Sequence, residues 1–236
     1  MFPEETVETN EISTENTESN EDFYKNAKDY WSHLPPTENT VLGGYGHISQ
    51  IDIQGSRNFL HQIYTTDKQL TKDRALDCGA GIGRITRCLL TSFFQKVDLV
   101  EQNAEFLKEA KVELVNHTER IGEYYAVGLQ DFQPEHKYDV IWCQWVLGHL
   151  IDEDLVKFFN RCKASLTEKG FLVVKENMSS SANIEMDSTD SSITRSYSHF
   201  MDIFKQAGLK CFKKQKQMHF PKDLYTVYMF ALRPEV

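Results

Sequence analysis

A glycine-rich segment that follows the first apolar run of the sequence has the composition of a ligand-binding turn. It begins at Asp77, and glycines then occupy alternate positions at Gly79, Gly81 and Gly83. Glycine lets the backbone turn sharply and approach a ligand closely, and the N–H groups at the start of a following helix are free to bind it. The segment predicts a nucleotide-like ligand at the end of a strand. The alternative is a structural turn in an unrelated α/β fold.

The glycine spacing and a later acid narrow the kind of ligand. In the dinucleotide-binding fingerprint the third glycine follows the second by three positions, whereas Gly83 follows Gly81 by two. Glu101 ends the next apolar run, where a Rossmann fold places the carboxylate that binds ribose hydroxyls. The pattern resembles the first two motifs of class I methyltransferases and fits an oxidoreductase poorly.

Two further strand exits carry side chains that could bind a ligand. Leu129 and Gln130 follow one predicted strand, at the place where class I methyltransferases contact adenine. Trp145 lies just past the end of the next strand and is expected to form a wall of a substrate pocket, whereas Trp142, inside that strand, is expected to lie in the core. His149, in an apolar stretch, is compatible both with a structural role and with a catalytic one.

Polar residues also follow the last long apolar run. Asn177 comes at the exit of the strand, and a Ser-rich loop then carries Asp187 and Asp190, three residues apart. Carboxylates in such a loop are most often simply solvated. By itself this pattern predicts a surface loop.

The elements that must position these residues alternate along the chain. Short apolar strands separated by helices of 10 to 15 residues predict a mostly parallel sheet with helices on both faces, that is, a Rossmann-like α/β fold. The predicted strands are 74–78, 96–100, 123–127, 138–144 and 170–175, followed by an antiparallel pair at 209–215 and 225–232. The predicted helices are 49–63, 83–94, 104–115, 152–166 and 196–207.

The start of the chain differs in composition from the rest. Residues 1–22 hold eight acidic residues and no Lys or Arg, so a net charge of −9 becomes −1 once they are set aside. We expect residues 1–20 to form a disordered acidic tail, because they have too few apolar residues to offset the entropy lost on ordering. Residues 21–236 are expected to form one methyltransferase domain, with a helical cap over about 21–65. This nearly neutral body has no basic stripe, which disfavours duplex nucleic acid as a partner.

Cysteine usage and hydropathy bear on the compartment. The five cysteines are scattered and form no C-x-x-C pair, a pattern typical of free thiols in a reducing compartment and unlike a zinc site. No apolar run reaches 18 residues, so no membrane span is expected. We therefore expect a protein of the nucleus and cytoplasm that needs no metal. The sequence does not indicate its oligomeric state.

Several long strings resemble one family, the alpha-N-terminal protein methyltransferases, which methylate the free α-amine of X-Pro-Lys N-termini with S-adenosylmethionine. The similarity runs in order from about residue 23 to residue 233. The strings are residues 30–31, 35–37, 42–49 (Leu-Gly-Gly-Tyr-Gly-His-Ile-Ser), 77–86 (Asp-Cys-Gly-Ala-Gly-Ile-Gly-Arg-Ile-Thr), 128–132, 144–150 and 190–192.

The resemblance implies a role for individual residues. The implied S-adenosylmethionine contacts are Gly79, Arg84, Glu101, Gln102, Asn103, Leu129, Gln130 and Gln144, with Trp31 closing over the cofactor. Arg84 would bind the methionine carboxylate, since a guanidinium can bind a carboxylate in bidentate fashion. The implied peptide-channel residues are Leu42, Gly43, Ile48, Trp145, Asn177, Asp187, Asp190, Ser192 and Tyr225. Asp187 would face the Lys at substrate position three, and Asp190, His149 and Asn177 would act at the amine.

The sequence departs from the family at two places. Glu101 stands where the family is expected to have Asp, and residues 179–189 diverge, which makes the role of Asp187 less secure than that of Asp190. Two other functions fit the same fold. One is methylation of a small molecule or an internal side chain, and the other is a catalytically silent protein that reads a peptide or binds the cofactor.

Overall fold

Seven of the nine strands form one central sheet in the computed structural model, which describes residues 19–181 and 183–235. The strands are β1 (Arg74–Cys78), β2 (Lys96–Val100), β3 (Ile121–Tyr125), β4 (Tyr138–Gln144), β5 (Leu166–Met178), β6 (Glu185–Asp187), β7 (Ser192–Thr194), β8 (Leu209–Lys216) and β9 (Thr226–Pro234). The order in the sheet is β3-β2-β1-β4-β5-β9-β8, and β6 and β7 form a separate hairpin. Strands β1 to β5 are parallel, and β9 is antiparallel to both of its neighbours.

Helices precede and connect these strands. They are α1 (Asn20–Ser32), α2 (Glu38–Val41), α3 (Ser49–Thr66), α4 (Arg84–Cys88), α5 (Ala104–Glu113), α6 (Asp152–Ala164) and α7 (Tyr197–Gln206). Single turns of 3₁₀-helix occur at Gly46–Ile48, Leu90–Ser92 and Leu147–His149, and a longer one at Val115–Arg120. In the part of the chain that the structure describes, no helix is long and apolar enough to span a bilayer, and no group of three or more His, Cys, Asp or Glu side chains could hold a metal ion.

Apolar side chains cover both faces of the sheet. Along β4, Val140 and Trp142 pack in one core cluster with residues of α3 and α4, and Ile141 and Cys143 pack in another with residues of α6 and α7. Successive residues of a strand point to opposite faces, so a strand buried on both sides has an unbroken apolar sequence. The predicted mostly parallel Rossmann-like fold is confirmed, as is the core position of Trp142.

Three predicted strands, β1, β2 and β4, have the bounds expected from the sequence. The single helix expected over 83–94 is wrong. Helix α4 ends at Cys88 because Arg57, on α3, donates to the Cys88 carbonyl at 2.5 Å and to Ser92 Oγ at 2.9 Å. This side chain satisfies a carbonyl at the helix end, and a 3₁₀ turn follows.

The other strands and helices for which bounds were predicted differ from those bounds by at most three residues at either end, except for β5. That strand was predicted over 170–175 but extends from Leu166 to Met178, because it pairs with β4 on one side and with β9 on the other. Asn177, expected after the strand, lies within it and pairs with Val227.

The first described element is helix α1. Ser19 caps it by accepting a hydrogen bond from the Asp22 backbone N–H, and Phe23 and Ala27 are its buried residues. The predicted acidic tail falls almost entirely on residues 1–18, which lie outside the described residues, and it stays a prediction.

Candidate active site

The carboxyl ends of β1, β2 and β4 border a cleft that helix α1 covers. It contains about 730 Å³ of empty space, its open mouth included. Gly79 and Gly81 form its floor with φ values of 69° and 55°, a conformation that glycine adopts without strain. A methyl group added at Gly79 would lie only 2.3 Å from Val146 Cγ2. The glycine-rich turn therefore lets two loops approach each other and leaves room for a ligand.

Glu101 lies at one side of this cleft and is held by backbone donors. Its two carboxylate oxygens accept hydrogen bonds from the N–H groups of Gly81 at 3.0 Å and Asn103 at 2.9 Å. Burial raises the pKa of this carboxyl above its ordinary value, although the backbone donors act in the opposite direction. Each carboxylate oxygen has a second lone pair, so the group can also accept from two ligand hydroxyls.

Six of the nine predicted cofactor residues line this cleft. They are Trp31, Gly79, Glu101, Gln102, Leu129 and Gln130. Asn103 is not among the lining residues; it caps α5, and its Nδ2 donates to the Trp31 carbonyl at 3.0 Å. Arg84 and Gln144 do not line the cleft either, so their predicted contact with the cofactor stays a prediction.

Arg84 and Gln144 both bind a residue that the sequence analysis missed. Asp52, in helix α3, accepts a hydrogen bond from Arg84 Nη1 at 2.8 Å and from Gln144 Nε2 at 2.9 Å. Lys175 also donates to the Asp52 carboxylate. The available signal was the position of Asp52 in its helix, because it occupies the same buried face as Phe59 and Ile63. An acid on an apolar face requires a buried partner.

This buried ion cluster has two cations on one carboxylate. Burial tends to raise the pKa of Asp52, but Lys175 and Arg84 together hold it below its ordinary value. Burial lowers the pKa of Lys175 to about 8. The two cations also lie 5.9 Å and 5.8 Å from the ring centroid of Trp145, so the cluster supports the wall between the cleft and the neighbouring cavity.

A second and larger cavity adjoins the cleft, with about 1370 Å³ of empty space, open solvent at its mouth included. Most of the predicted peptide-channel residues line it. They are Leu42, Gly43, Ile48, Trp145, Asn177, Asp190, Ser192 and Tyr225, together with His149. Asp187 is the exception, since it is exposed in β6 and accepts a hydrogen bond from the Thr189 N–H at 2.8 Å. Phe220, Glu176 and Asp223 also line the cavity and were not predicted.

Two buried polar atoms of this cavity's lining residues have no hydrogen-bond partner within the described part of the protein. They are Nε1 of Trp145 and Oδ1 of Asp190. Leaving a buried donor or acceptor unpaired costs about 1–3 kcal/mol. One donor and one acceptor in the same cavity lining are what a polar ligand would satisfy. Trp31, Trp145 and His149 line both spaces, so that ligand would lie next to the cleft.

Comparison with known proteins identifies the family. The family model described as AdoMet dependent proline di-methyltransferase matches residues 19–233, nearly all of the chain. The chain belongs to this family. Alpha N-terminal protein methyltransferase 1 of Drosophila melanogaster is 49% identical, over 90% of this chain and 77% of that protein. N-terminal Xaa-Pro-Lys N-methyltransferase 1 of Homo sapiens is 46% identical, over 94% of this chain and 100% of that protein.

Solved structures of this family and of its fold agree. A SAM-dependent methyltransferase of Leishmania major superimposes with a TM-score of 0.83 at 39% identity, over 89% of this chain and 83% of that one. The phosphoethanolamine N-methyltransferase 1 of Haemonchus contortus, solved with S-adenosylhomocysteine, has a TM-score of 0.74 at 15% identity, over 95% of this chain and 52% of that one, and shows a shared fold. The chain is thus an S-adenosylmethionine-dependent methyltransferase.

The geometry of the cleft fits the family's cofactor. Gly79 lines the cleft and has no room for a side chain, because an added Cβ would collide with Val146. Ribose needs an acceptor of two hydroxyl hydrogen bonds, which Glu101 supplies. The longer side chain of Glu101, where Asp was expected, is therefore compatible with the role. Val127 and Leu129 give the far side of the cleft an apolar surface suited to adenine.

His149 connects the cleft and the larger cavity of this methyltransferase. Its Nε2 is 3.0 Å from Nε1 of Trp31, and its Nδ1 is 3.3 Å from the carbonyl oxygen of Ser191. Burial lowers the pKa of His149, although the charge of Asp190 acts to raise it. His149 thus lies between the cofactor cleft and Asp190.

Proposed function

We propose that this enzyme transfers methyl groups to the free α-amine of proteins that begin with X-Pro-Lys once the initiator Met has been removed, in one to three steps. The observation that carries the proposal is the pair of unsatisfied buried atoms, Trp145 Nε1 and Asp190 Oδ1, in a cavity that adjoins the cofactor cleft. An N-terminal residue would present a backbone carbonyl to the first atom and an amine to the second. Relatives of the chain are named N-terminal Xaa-Pro-Lys N-methyltransferases, after such substrates.

The reaction requires a neutral amine. An α-amino group has a pKa of about 7.7–8.0, so roughly a tenth of it is neutral at pH 7. Asp190 would accept the amine proton at Oδ1, directly or through a water molecule, with His149 assisting. Asn177 would orient the amine with its side-chain carbonyl. Bound S-adenosylmethionine supplies the methyl group, and a bond from nitrogen to that carbon forms as the bond from carbon to sulfur breaks.

The remaining channel residues would select the peptide. Leu42 and Ile48 are buried and apolar, and they would contact the proline at position two, whose fixed φ suits a narrow channel. Asp187, at the exposed hairpin, would face the Lys at position three. Trp145 would present its ring to the methylated and increasingly cationic amine.

Mass spectrometry tests this proposal. The wild-type protein is incubated with S-adenosylmethionine and a Ser-Pro-Lys-Arg peptide, and an N-acetylated copy of the peptide is run alongside. We expect mass increases of one to three methyl groups on the free peptide and none on the acetylated one. In the Asp190→Asn variant the rate should fall about 100-fold or more, the usual contribution of a general base. Asp202→Asn, which changes an exposed acid of α7, is the matched control and should keep the wild-type rate.

The other functions predict different outcomes. An enzyme for small molecules or internal side chains would leave both peptides unchanged while still binding S-adenosylmethionine. A silent reader would bind the free peptide, measured by calorimetry, without methylating it. Either result would refute the N-terminal assignment. We also propose that the enzyme acts in the nucleus and cytoplasm, which the free cysteines support. We further propose that it has no nucleic-acid or membrane partner, and its nearly neutral body supports this for nucleic acid.

A further inference from the structure

The two ring nitrogens of His149 have partners of opposite character. An indole N–H can only donate, so Nε2 must accept the hydrogen bond from Trp31 with its lone pair. A carbonyl can only accept, so Nδ1 must donate to the oxygen of Ser191. Together these contacts require a neutral imidazole with its proton on Nδ1. Its only basic lone pair is then occupied by Trp31.

Asp190 differs from His149 in this respect. Its Oδ1 is buried and has no hydrogen-bond partner in the described chain, although its residue lines the same cavity. Of the two groups, only Asp190 has an acceptor available for a proton in this arrangement. The two residues are connected through the backbone, since the carbonyl that His149 holds belongs to Ser191, the next residue along the chain.

Ser191 needs this support because of its conformation. It is a non-glycine residue with a φ of 48°, and it is almost fully buried. A left-handed conformation in such a residue costs free energy and persists only where the surrounding structure imposes it. The hydrogen bond from His149 to the Ser191 carbonyl is one such contact, and its acceptor lies in the residue that directly follows Asp190.

The same chain of contacts continues into the cofactor cleft. The Trp31 carbonyl accepts a hydrogen bond from Asn103 Nδ2 at 3.0 Å, and the Asn103 N–H donates to Glu101 at 2.9 Å. Hydrogen bonds therefore connect Glu101 to Asn103, Asn103 to Trp31, Trp31 to His149, and His149 to the turn that carries Asp190. No link depends on the peptide.

We propose that Trp31 and His149 are positioning residues, an inference that rests on the function proposed above. Trp31 holds His149 in the form with its proton on Nδ1. His149 thereby fixes the Ser191 carbonyl and directs Asp190 Oδ1 toward the substrate amine. The amine proton passes to Asp190: its N–H bond breaks as an O–H bond forms at Oδ1. The hydrogen bonds to Asn103 and Glu101 couple this arrangement to the cofactor.

Variants of the full-length protein separate the two roles of His149. In His149→Asn the amide Nδ2 replaces the donor Nδ1, but the side chain has no basic nitrogen. If His149 positions Asp190, this variant should keep kcat within about tenfold of wild type, whereas His149→Ala and Asp190→Asn should each lose about 100-fold or more. Equal losses in His149→Asn and His149→Ala would overturn the proposal. His61→Asn, at an exposed site on α3, is the matched control.

NMR of the ¹⁵N-labelled histidine rings gives a readout that does not depend on turnover. We expect His149, assigned by the signal lost in His149→Asn, to be neutral with its proton on Nδ1 in the wild type with S-adenosylhomocysteine bound. Trp31→Phe keeps an aromatic ring but removes the donor, and the proton should then redistribute toward Nε2. A wild-type proton on Nε2 would overturn the proposal. If the wild type instead leaves the peptide unmethylated while the ring shows the expected form, the proposed substrate fails and the positioning contacts stand.

Discussion

Lys175 donates a hydrogen bond to the carboxylate of Asp52, and neither side chain is exposed to solvent. The pair joins β5 to helix α3, and Arg84 binds the same carboxylate from the start of α4. Three elements that border the active site are therefore held together by one buried acid. Such pairs cost desolvation free energy when they form, but removing one partner leaves an uncompensated buried charge.

The first prediction concerns this acid. Asp52→Asn removes the charge that compensates Lys175 and Arg84, so we expect the free energy of unfolding in urea to fall by about 3–5 kcal/mol. Binding of S-adenosylmethionine, measured by calorimetry, should weaken about tenfold or more, because Arg84 loses a charge-assisted hydrogen bond that fixes it. The double variant Asp52→Asn with Lys175→Met should be less destabilised than the single one. A single variant as stable as wild type would show that the pair has no net structural role.

The second prediction is a pH dependence. Glu176 accepts hydrogen bonds from the N–H groups of Val146 and Leu147, both at 2.9 Å, and burial raises its pKa to about 7. A carboxyl whose pKa is raised by folding binds more protons in the folded protein than in the unfolded one. The free energy of unfolding that it contributes is therefore lost as the pH rises from about 4.5 through 7.

Glu176→Gln isolates this effect, since the amide oxygen can accept both backbone hydrogen bonds and does not titrate. Relative to wild type, the variant should gain about 3 kcal/mol of unfolding free energy between pH 4.5 and pH 8, measured by urea titration at each pH. The comparison with wild type removes the contribution of all other groups. A stability difference that stays constant with pH would mean that Glu176 has an ordinary pKa.

The third prediction separates backbone strain from steric collision in the cofactor loop. Gly79→Ala introduces a side chain at a φ of 69° and 2.3 Å from Val146 Cγ2. Gly44→Ala is the matched control, because Gly44 has a φ of 89° but no atom within 4 Å of an added methyl group. Both variants should lose about 1–3 kcal/mol of stability from strain. Only Gly79→Ala should also abolish measurable binding of S-adenosylmethionine, and Val146→Ala in the same chain should restore part of it. Normal cofactor binding by Gly79→Ala would contradict the account.

The fourth prediction compares two tryptophans of one segment. Trp142 is fully buried, and its Nε1 donates to Gln144 at 3.1 Å, whereas the buried Nε1 of Trp145 has no partner in the described chain. Trp142→Phe should therefore cost about 2–3 kcal/mol of unfolding free energy from the lost hydrogen bond and the cavity.

Trp145→Phe should change stability by less than about 1 kcal/mol, because it removes an unsatisfied donor. Its kcat/KM for the Ser-Pro-Lys-Arg peptide should nevertheless fall about tenfold, the loss of one hydrogen bond to the peptide. If Trp145→Phe is the less stable of the two variants, then the indole N–H of Trp145 has a hydrogen-bond partner in solution, and the prediction is wrong.

The predicted bounds of strands and helices agree with the structure where burial alone sets them, and differ where a contact with a distant element sets them. Strands β1, β2 and β4 have their predicted bounds, because apolar runs buried on both faces of a sheet are visible in the sequence itself. The predicted end of α4 was wrong, because the observed end depends on a hydrogen bond from Arg57, a residue of another helix. Asn177 was placed after β5 instead of within it, because β9 extends the strand by pairing with it.

The fold class, the glycine-rich loop and a set of site residues, most of which line the two cavities, could be predicted from the sequence, because these features depend on local patterns and on motifs of a family. The pairing of the side chains, in contrast, could be seen only in the folded protein. Trp31 and His149 are 118 positions apart, and Asp52 and Gln144 are 92 apart. No local pattern encodes such contacts, since they form only where packing brings separate elements together and excludes the water that would otherwise satisfy each group.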